Sequence, residues 1–352
     1  MQKKLIALAV AGLVSGGAYA QSNVTVYGVV DVFAGQTKAD DNQVKNGIDS
    51  GGIGGSRIGF KGEEALGNGL KAIFTLEYGL TVDANQGVGT GTLAARQQYL
   101  GLSSNTLGTV IAGRLQTPGF DASNAYGAGI SGGAAFSPLY ALQQYAGANI
   151  NSSARANNAI AYVSPTFAGF SGKVAYVFGE ETTSNDRSKG YELGADYKNG
   201  PLAVSYVYSG GKDNAPLAVE QTKDAGHFLG ASYDFGIAKL KGSYQREKTT
   251  QAGVNDLKFD LWQIGADVPV TAAGAVRVGY AQYKNKAAGA DDDKVKAWTL
   301  GYTHSLSKRT TAYAAYTRLN NDNAADAGIN GVNPTVAGGN GSILGAGINH
   351  AF

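Results

Sequence analysis

The chain has no cysteine, only 7 prolines in 352 residues, and no apolar run long enough to cross a bilayer as a helix. Without cysteine an exported protein of this size has no disulfides to stabilise it. Scarce proline, with frequent Tyr, Val and Thr, favours sheet. A mean hydropathy of −0.15 without a long apolar segment excludes a helical membrane protein. It leaves a membrane barrel open, because barrel strands meet lipid only at every second residue. Charge of one sign is lacking too. The 29 basic residues include Lys3 and Lys4 of an N-terminal leader, and the remaining 27 face 27 acidic ones. That balance gives no sign of nucleic-acid binding, which shows as a basic excess.

The leader reads as a secretory signal peptide over residues 1–20. Lys3 and Lys4 are basic, Leu5 to Val14 are apolar, and Ala18-Tyr19-Ala20 is an A-x-A cleavage site. The expected mature chain is a single domain over 21–352.

Alternation of period two then recurs almost without interruption. In Leu70 to Leu80, Leu70, Ala72, Phe74, Leu76, Tyr78 and Leu80 share one face, while Lys71, Thr75, Glu77 and Gly79 share the other. No segment keeps a helical period. Tight connections at 66–69, 105–108, 198–201, 234–236 and 305–309 alternate with long polar ones at 36–54, 117–154, 210–225 and 320–341. The expectation is all-β: a transmembrane antiparallel barrel of about 16 strands, with short periplasmic turns at one rim and long extracellular loops at the other. Tyr78, Tyr99, Tyr162, Tyr197, Tyr208, Tyr233, Tyr280 and Tyr302 stand near strand ends, as an aromatic girdle in contact with outer-membrane lipid would. The last strand, ILGAGINHAF, ends on Phe352. In a closed barrel it pairs with the first strand, and Phe352 faces outward at the short-turn rim.

Several stretches carry a family likeness: Val24 to Asp31, Gly55-Ser56-Arg57-Ile58-Gly59-Phe60-Lys61-Gly62-Glu63-Glu64, Gly69 to Glu77, Arg96 to Leu102, Gly113-Arg114, Asn157 to Gly169 and the terminal Phe352. Together they resemble the general-diffusion porins of Gram-negative bacteria, above all the betaproteobacterial branch (Burkholderia, Bordetella, Neisseria). The resemblance implies a homotrimer whose third long loop folds into the pore. It also implies a terminal aromatic strand recognised by the barrel-assembly machinery, and passage of ions and small hydrophilic solutes. Here the third loop is 117–154. Its Phe120, Tyr126, Ile130, Phe136, Leu139, Tyr140, Leu142 and Tyr145 need something to pack on, which inward folding supplies. Enteric relatives carry Glu after the loop proline; here Pro118 is followed by Gly119 and Phe120, and Asp121 is the candidate loop acid.

A pore selects by its width and by the field at its narrowest point. Arg57 and Lys61 oppose Ile58 and Phe60 in strand parity, and Arg155 opposes Ile160 and Tyr162, so all three are expected in the lumen. Arg114 is assigned there as well, on a face shared with Val110 and Ala112 and taken as the non-lipid one. Arg96 shares parity with Leu100 and Leu102, and needs a bulge to turn inward. Asp31 and Glu77 are the candidate acidic lumen residues. The charges point to a modest anion preference. The rival readings are a substrate-specific channel, an adhesin or structural barrel, and an enzyme. The three histidines, His227, His304 and His350, have no evident acidic partner, and no cofactor- or metal-binding spacing is visible.

Overall fold

A computed structural model of the chain describes residues 23–41, 43–86, 94–147, 154–180, 189–213, 222–251, 256–287 and 293–352. The leader at 1–20 lies outside the described residues. The strands are β1 (Asn23–Ala39), β2 (Val44–Ser50), β3 (Arg57–Gly67), β4 (Leu70–Gly79), β5 (Ala94–Ser104), β6 (Gly108–Gln116), β7 (Arg155–Val163), β8 (Phe170–Phe178), β9 (Lys189–Asn199), β10 (Leu202–Asp213), β11 (Thr222–Asp234), β12 (Lys239–Gln251), β13 (Leu257–Pro269), β14 (Gly274–Asn285), β15 (Lys294–Ser305), β16 (Thr310–Asn321) and β17 (Gly341–Ala351). Each pairs antiparallel with its neighbours, and β17 returns to β1, from Val29↔Ala351 to Ala39↔Gly341.

The 17 segments form 16 staves. β2 and β3 both pair with β1, β2 along Val32–Lys38 and β3 along Asn23–Val29. They are two halves of one stave, parted by residues 51–56. The parting has a chemical cause. The Asp31 carboxylate accepts from the amides of Gly52, Ile53 and Gly54 at 2.9, 3.1 and 2.9 Å. A buried carboxylate that gathers three N–H groups pulls the chain off the ladder.

Side chains alternate as the sequence implies. On β15, Val295, Ala297 and Thr299 are buried while Trp298, Leu300 and Tyr302 are exposed. On β17, Leu344 and Ile348 are exposed and Ile343 is buried, and Phe352 just beyond its end is exposed. Three details differ from the sequence reading. The connection expected at 36–54 is mostly strand, with a tight hairpin between Ala39 and Val44, and β10 and β11 likewise run into the connection expected at 210–225. Val110 faces outward beside Leu102 and Tyr162, so that face of β6 is the lipid one. Tyr99 packs inward on Leu115, Ala159 and Ala161 and belongs to no girdle.

The third long loop folds into the barrel. It carries two short helices, α1 (Pro118–Ala125) and α2 (Pro138–Ala146). Thr117 and Ser137 cap them by accepting from the amides of Phe120 and Tyr140, and a proline stands first in each. α1 lies against β8–β11 and α2 against β13–β16. Phe136, Leu139 and Leu142 are fully buried with Phe33, Leu261, Leu319 and Ile343. Burying each such side chain contributes about 1.5–3 kcal/mol toward offsetting the loop's ordering entropy. Polar ties fix its height: Gly119 N–H to Glu192 at 2.7 Å, Tyr126 to Ser205 at 3.0 Å, Ala128 N–H to Gln263 at 2.8 Å.

Candidate pore constriction

Across from the loop, the inner wall presents a cluster built on Glu77. Glu77 is 5% exposed. It accepts from Arg96 Nε at 2.6 Å and from the Tyr27 hydroxyl at 3.1 Å, and Arg57 Nε lies 3.4 Å away. Arg57 also donates to Gly55 O at 2.9 Å. Arg96 reaches Glu77 because the β4–β5 register slips there: Glu77 pairs with Gln97 and Tyr78 with Ala95, leaving Arg96 as the extra residue. A bulge re-aims a side chain that regular pairing would have sent into lipid.

A second bulge lies opposite Arg114. Gly113 pairs with Ala159 and Leu115 with Ala156, so the extra residue is on β7, where Asn157 and Asn158 stand across from Arg114 alone; Arg114 keeps the regular β6 alternation, opposite in parity to the buried Leu115. Gly113 sits at φ +140, and a Cβ there would lie 2.2 Å from Gln98 O, so only glycine allows the two backbones to approach. Arg114 donates to Ala95 O at 2.9 Å and to Asn157. Arg155 donates to Gln116 Oε1 at 3.3 Å and stacks on the Phe120 ring at 5.2 Å. It lies within electrostatic reach of Arg96, Glu77, Arg114 and Arg57. Arg57 and Arg96 thus share one carboxylate, with Arg155 in its field. Lys61 stands apart, exposed, with its ammonium 5.2 Å from the Tyr27 ring.

The loop answers with little charge. Asp121 is the single residue between Thr117 and Ala154 that is charged at neutral pH. It does not face Glu77 and its arginines. Lys173 Nζ holds one oxygen at 2.7 Å, and Gln116 donates to the other. Gln116 thereby bridges Asp121 to Arg155. Asp31, a candidate acidic lumen residue, is corrected: it has no exposure, because Gly52–Gly54, Tyr313 and Asn349 enclose it. Phe352 closes the sheet through reciprocal bonds with Gly28 at 3.1 Å, its ring outward across that glycine.

Between wall and loop lies an opening of about 620 Å³, lined by Gly55, Arg96 and Arg155 on one side and by Phe120, Tyr140 and Gln144 on the other. Ile329 and Asn330 also border it. They belong to the 322–340 connection, whose Ala325, Ala327 and Ile329 are buried in the loop's own core. That inward turn, Lys173, Tyr27 and Gln116 were not singled out from the sequence. Lys173 was within reach, since it alternates with the exposed Val174. Among the described residues no three His, Cys, Asp or Glu side chains converge as metal ligands would.

The family model for Gram-negative porins matches residues 7–324. Outer membrane porin protein 32 of Delftia acidovorans is 36% identical, with all of each chain covered. The major outer membrane protein P.IB of Neisseria lactamica is 30% identical over 89% of this chain and 91% of its own. Among solved structures, the anion-selective porin from Comamonas acidovorans superposes with a TM-score of 0.82 at 32% identity, covering 94% of this chain and all of that one. A 16-stave barrel narrowed by its third loop, with relatives matched end to end, makes this chain a member of the Gram-negative porin family, an outer-membrane porin.

Proposed function

We propose that the channel passes small hydrophilic solutes by diffusion and favours anions. One observation carries the reading: Arg57, Arg96 and Arg155 gather around Glu77 alone, opposite a loop whose one carboxylate is bound to Lys173. Two unit charges ~8 Å apart at an effective dielectric of ~20 interact by roughly 2 kcal/mol. Uncompensated guanidinium charge therefore biases which ion enters, and low-dielectric walls focus that field. The likeness to a porin described as anion-selective supports the same sign.

The protein works as a homotrimer, matured at Gln21 and inserted with the help of a machinery that reads Phe352. It acts as a channel and not as an enzyme. The arginines, together with Lys61, act as the selectivity element, and Asp121 sets the loop's position more than its field.

The test is the zero-current potential of trimers across a KCl gradient. The wild type should read anion-selective, and increasingly less so as salt rises past physiological strength, where screening acts over ~8 Å. Arg96→Ser/Arg155→Ser removes the two guanidinium groups that line the opening, and should move the potential toward the cation side. Cation preference in the wild type, or an unmoved potential in the double variant, overturns the reading.

A further inference from the structure

Asp121 and Arg155 are an acid and a base held apart by one side chain. Gln116 and Arg155 are the last paired residues of β6 and β7, where the third loop leaves the wall and rejoins it. Between the two charges stands the Gln116 amide. Its oxygen accepts from Arg155 at 3.3 Å, and its nitrogen donates to Asp121. α1 already reaches the arginine, since the ring of Phe120, one residue before Asp121, lies 5.2 Å from the guanidinium. A carboxylate gains more from a guanidinium fork than from a neutral amide. Something must therefore favour the separated arrangement.

Lys173 supplies it. This residue alternates on β8 with the exposed Val174 and so points inward. Its ammonium lies 2.7 Å from the Asp121 carboxylate and donates to Gln116 O at 3.1 Å. The lysine side chain is 16% exposed and that of Asp121 45%, so the wall holds the cation in place while the acid stays open to the lumen. Lys173 pairs with Gly194, where a Cβ would lie 3.3 Å from Pro118. The small residue lets the first turn of α1 settle close to the lysine. Glu192, the other carboxylate in the field of Lys173, is bound to the Gly119 amide at 2.7 Å.

The consequence lies at the opening. Arg155 lines it and Asp121 does not. With Asp121 on Lys173, the guanidinium keeps its charge toward passing ions. With Asp121 on Arg155, that charge would be cancelled at the place where the field is focused.

We propose that Lys173 is a selectivity-determining residue that acts through Asp121: it keeps the loop's one carboxylate off Arg155. Gln116 is the neutral spacer between them. This role rests on the anion preference proposed above, and it makes that preference depend on a lysine outside the opening.

The experiment is a double-mutant cycle read by the zero-current potential of trimers in dilute KCl. Folding is checked by heat-modifiable migration. Lys173→Met keeps the length of the side chain and removes its charge. It should lower the anion-to-cation permeability ratio about fourfold when Asp121 is present, and about 1.5-fold in the Asp121→Asn background, where only the lysine's own field is lost. Glu192 loses the same field in both backgrounds and drops out of the comparison. The excess should vanish in Arg155→Ser, because the carboxylate then has no guanidinium to neutralise. Lys173→Gln should repeat the pattern, and Lys173→Arg should keep most of the ratio. A cation-selective wild type would overturn the anion reading alone, since the dependence on Asp121 is measurable whatever the sign of the selectivity. An equal change in both backgrounds, an excess that survives in Arg155→Ser, or Lys173→Arg behaving like Lys173→Met would each overturn the role of Lys173.

Discussion

The hydroxyl of Tyr313 donates to the carboxylate of Asp31 across the closure of the barrel, 282 residues away in sequence. Asn349 donates to the same carboxylate at 2.8 Å, so β1, β16, β17 and the 52–54 segment meet on one buried charge. The third loop hangs from that junction: Ala135 and Phe136 donate their amides to Gly51 O and Gly52 O at 3.2 and 3.3 Å, and Phe136 packs edge-on against Phe33 and Tyr313.

Asp31→Ala should therefore loosen the loop as well as the barrel. It strands several buried donors, each worth about 1–3 kcal/mol. The expected outcome is a lower temperature for heat-modified migration of the folded barrel, together with noisier single-channel current. A variant that loses stability but conducts as quietly as the wild type would separate the junction from the loop.

Glu77→Gln should strengthen anion preference. The substitution keeps an acceptor for Arg96 and Tyr27 but removes the cluster's one negative charge. The zero-current potential in dilute KCl should move further toward the anion limit, by an amount that shrinks at high salt. A shift in the opposite direction would mean that the arginines need their carboxylate to stay in the opening.

Tyr145 on α2 donates to Asp293 at 2.8 Å. Burial, and then the hydrogen bond and charge of that carboxylate, raise its phenol above the ordinary value. A raised pKa in the folded state means that this contact stabilises fully below the unfolded value of about 10 and is lost as pH climbs beyond it. Current noise from loop movement should thus grow above about pH 10 in the wild type. Tyr145→Phe should show the same noise at neutral and alkaline pH, because it has no proton to lose.

Removing Phe352, or changing it to Ala, should cut the yield of folded protein in cells more than it lowers the stability of barrels already assembled. The ring is 43% exposed and so contributes modest burial, yet it sits on the strand that closes the sheet. Gly28→Ala should mimic part of the defect, because a Cβ there would lie 2.4 Å from Phe352 Cζ. Comparing heat-modifiable protein in membranes with the unfolding temperature of the purified barrel separates the two effects.

Period two, the short and long connections and the aromatic last residue were legible in the sequence because each follows from local sterics. A strand turns successive side chains to opposite faces whatever lies elsewhere in the chain, and a terminal strand with a lipid-facing pattern must find a partner. The Thr117-Pro118 and Ser137-Pro138 caps of α1 and α2 were just as local, though their helices are too short to show a period. Where the charges point was a different matter. Arg96 turns on a bulge, and a bulge is a misfit between two strands that neither strand encodes alone. Misreading Val110 as a lumen residue had the same origin, since one residue of slip exchanges the faces of a strand. Asp31 and Asp121 were visible as acids, but their partners come from distant segments: Tyr313 and Asn349 for one, Lys173 for the other. Local pattern set the barrel. Contacts between segments far apart in the chain decided which of its charges meet in the opening, because electrostatic compensation depends on distances that only the closed sheet and the folded loop define.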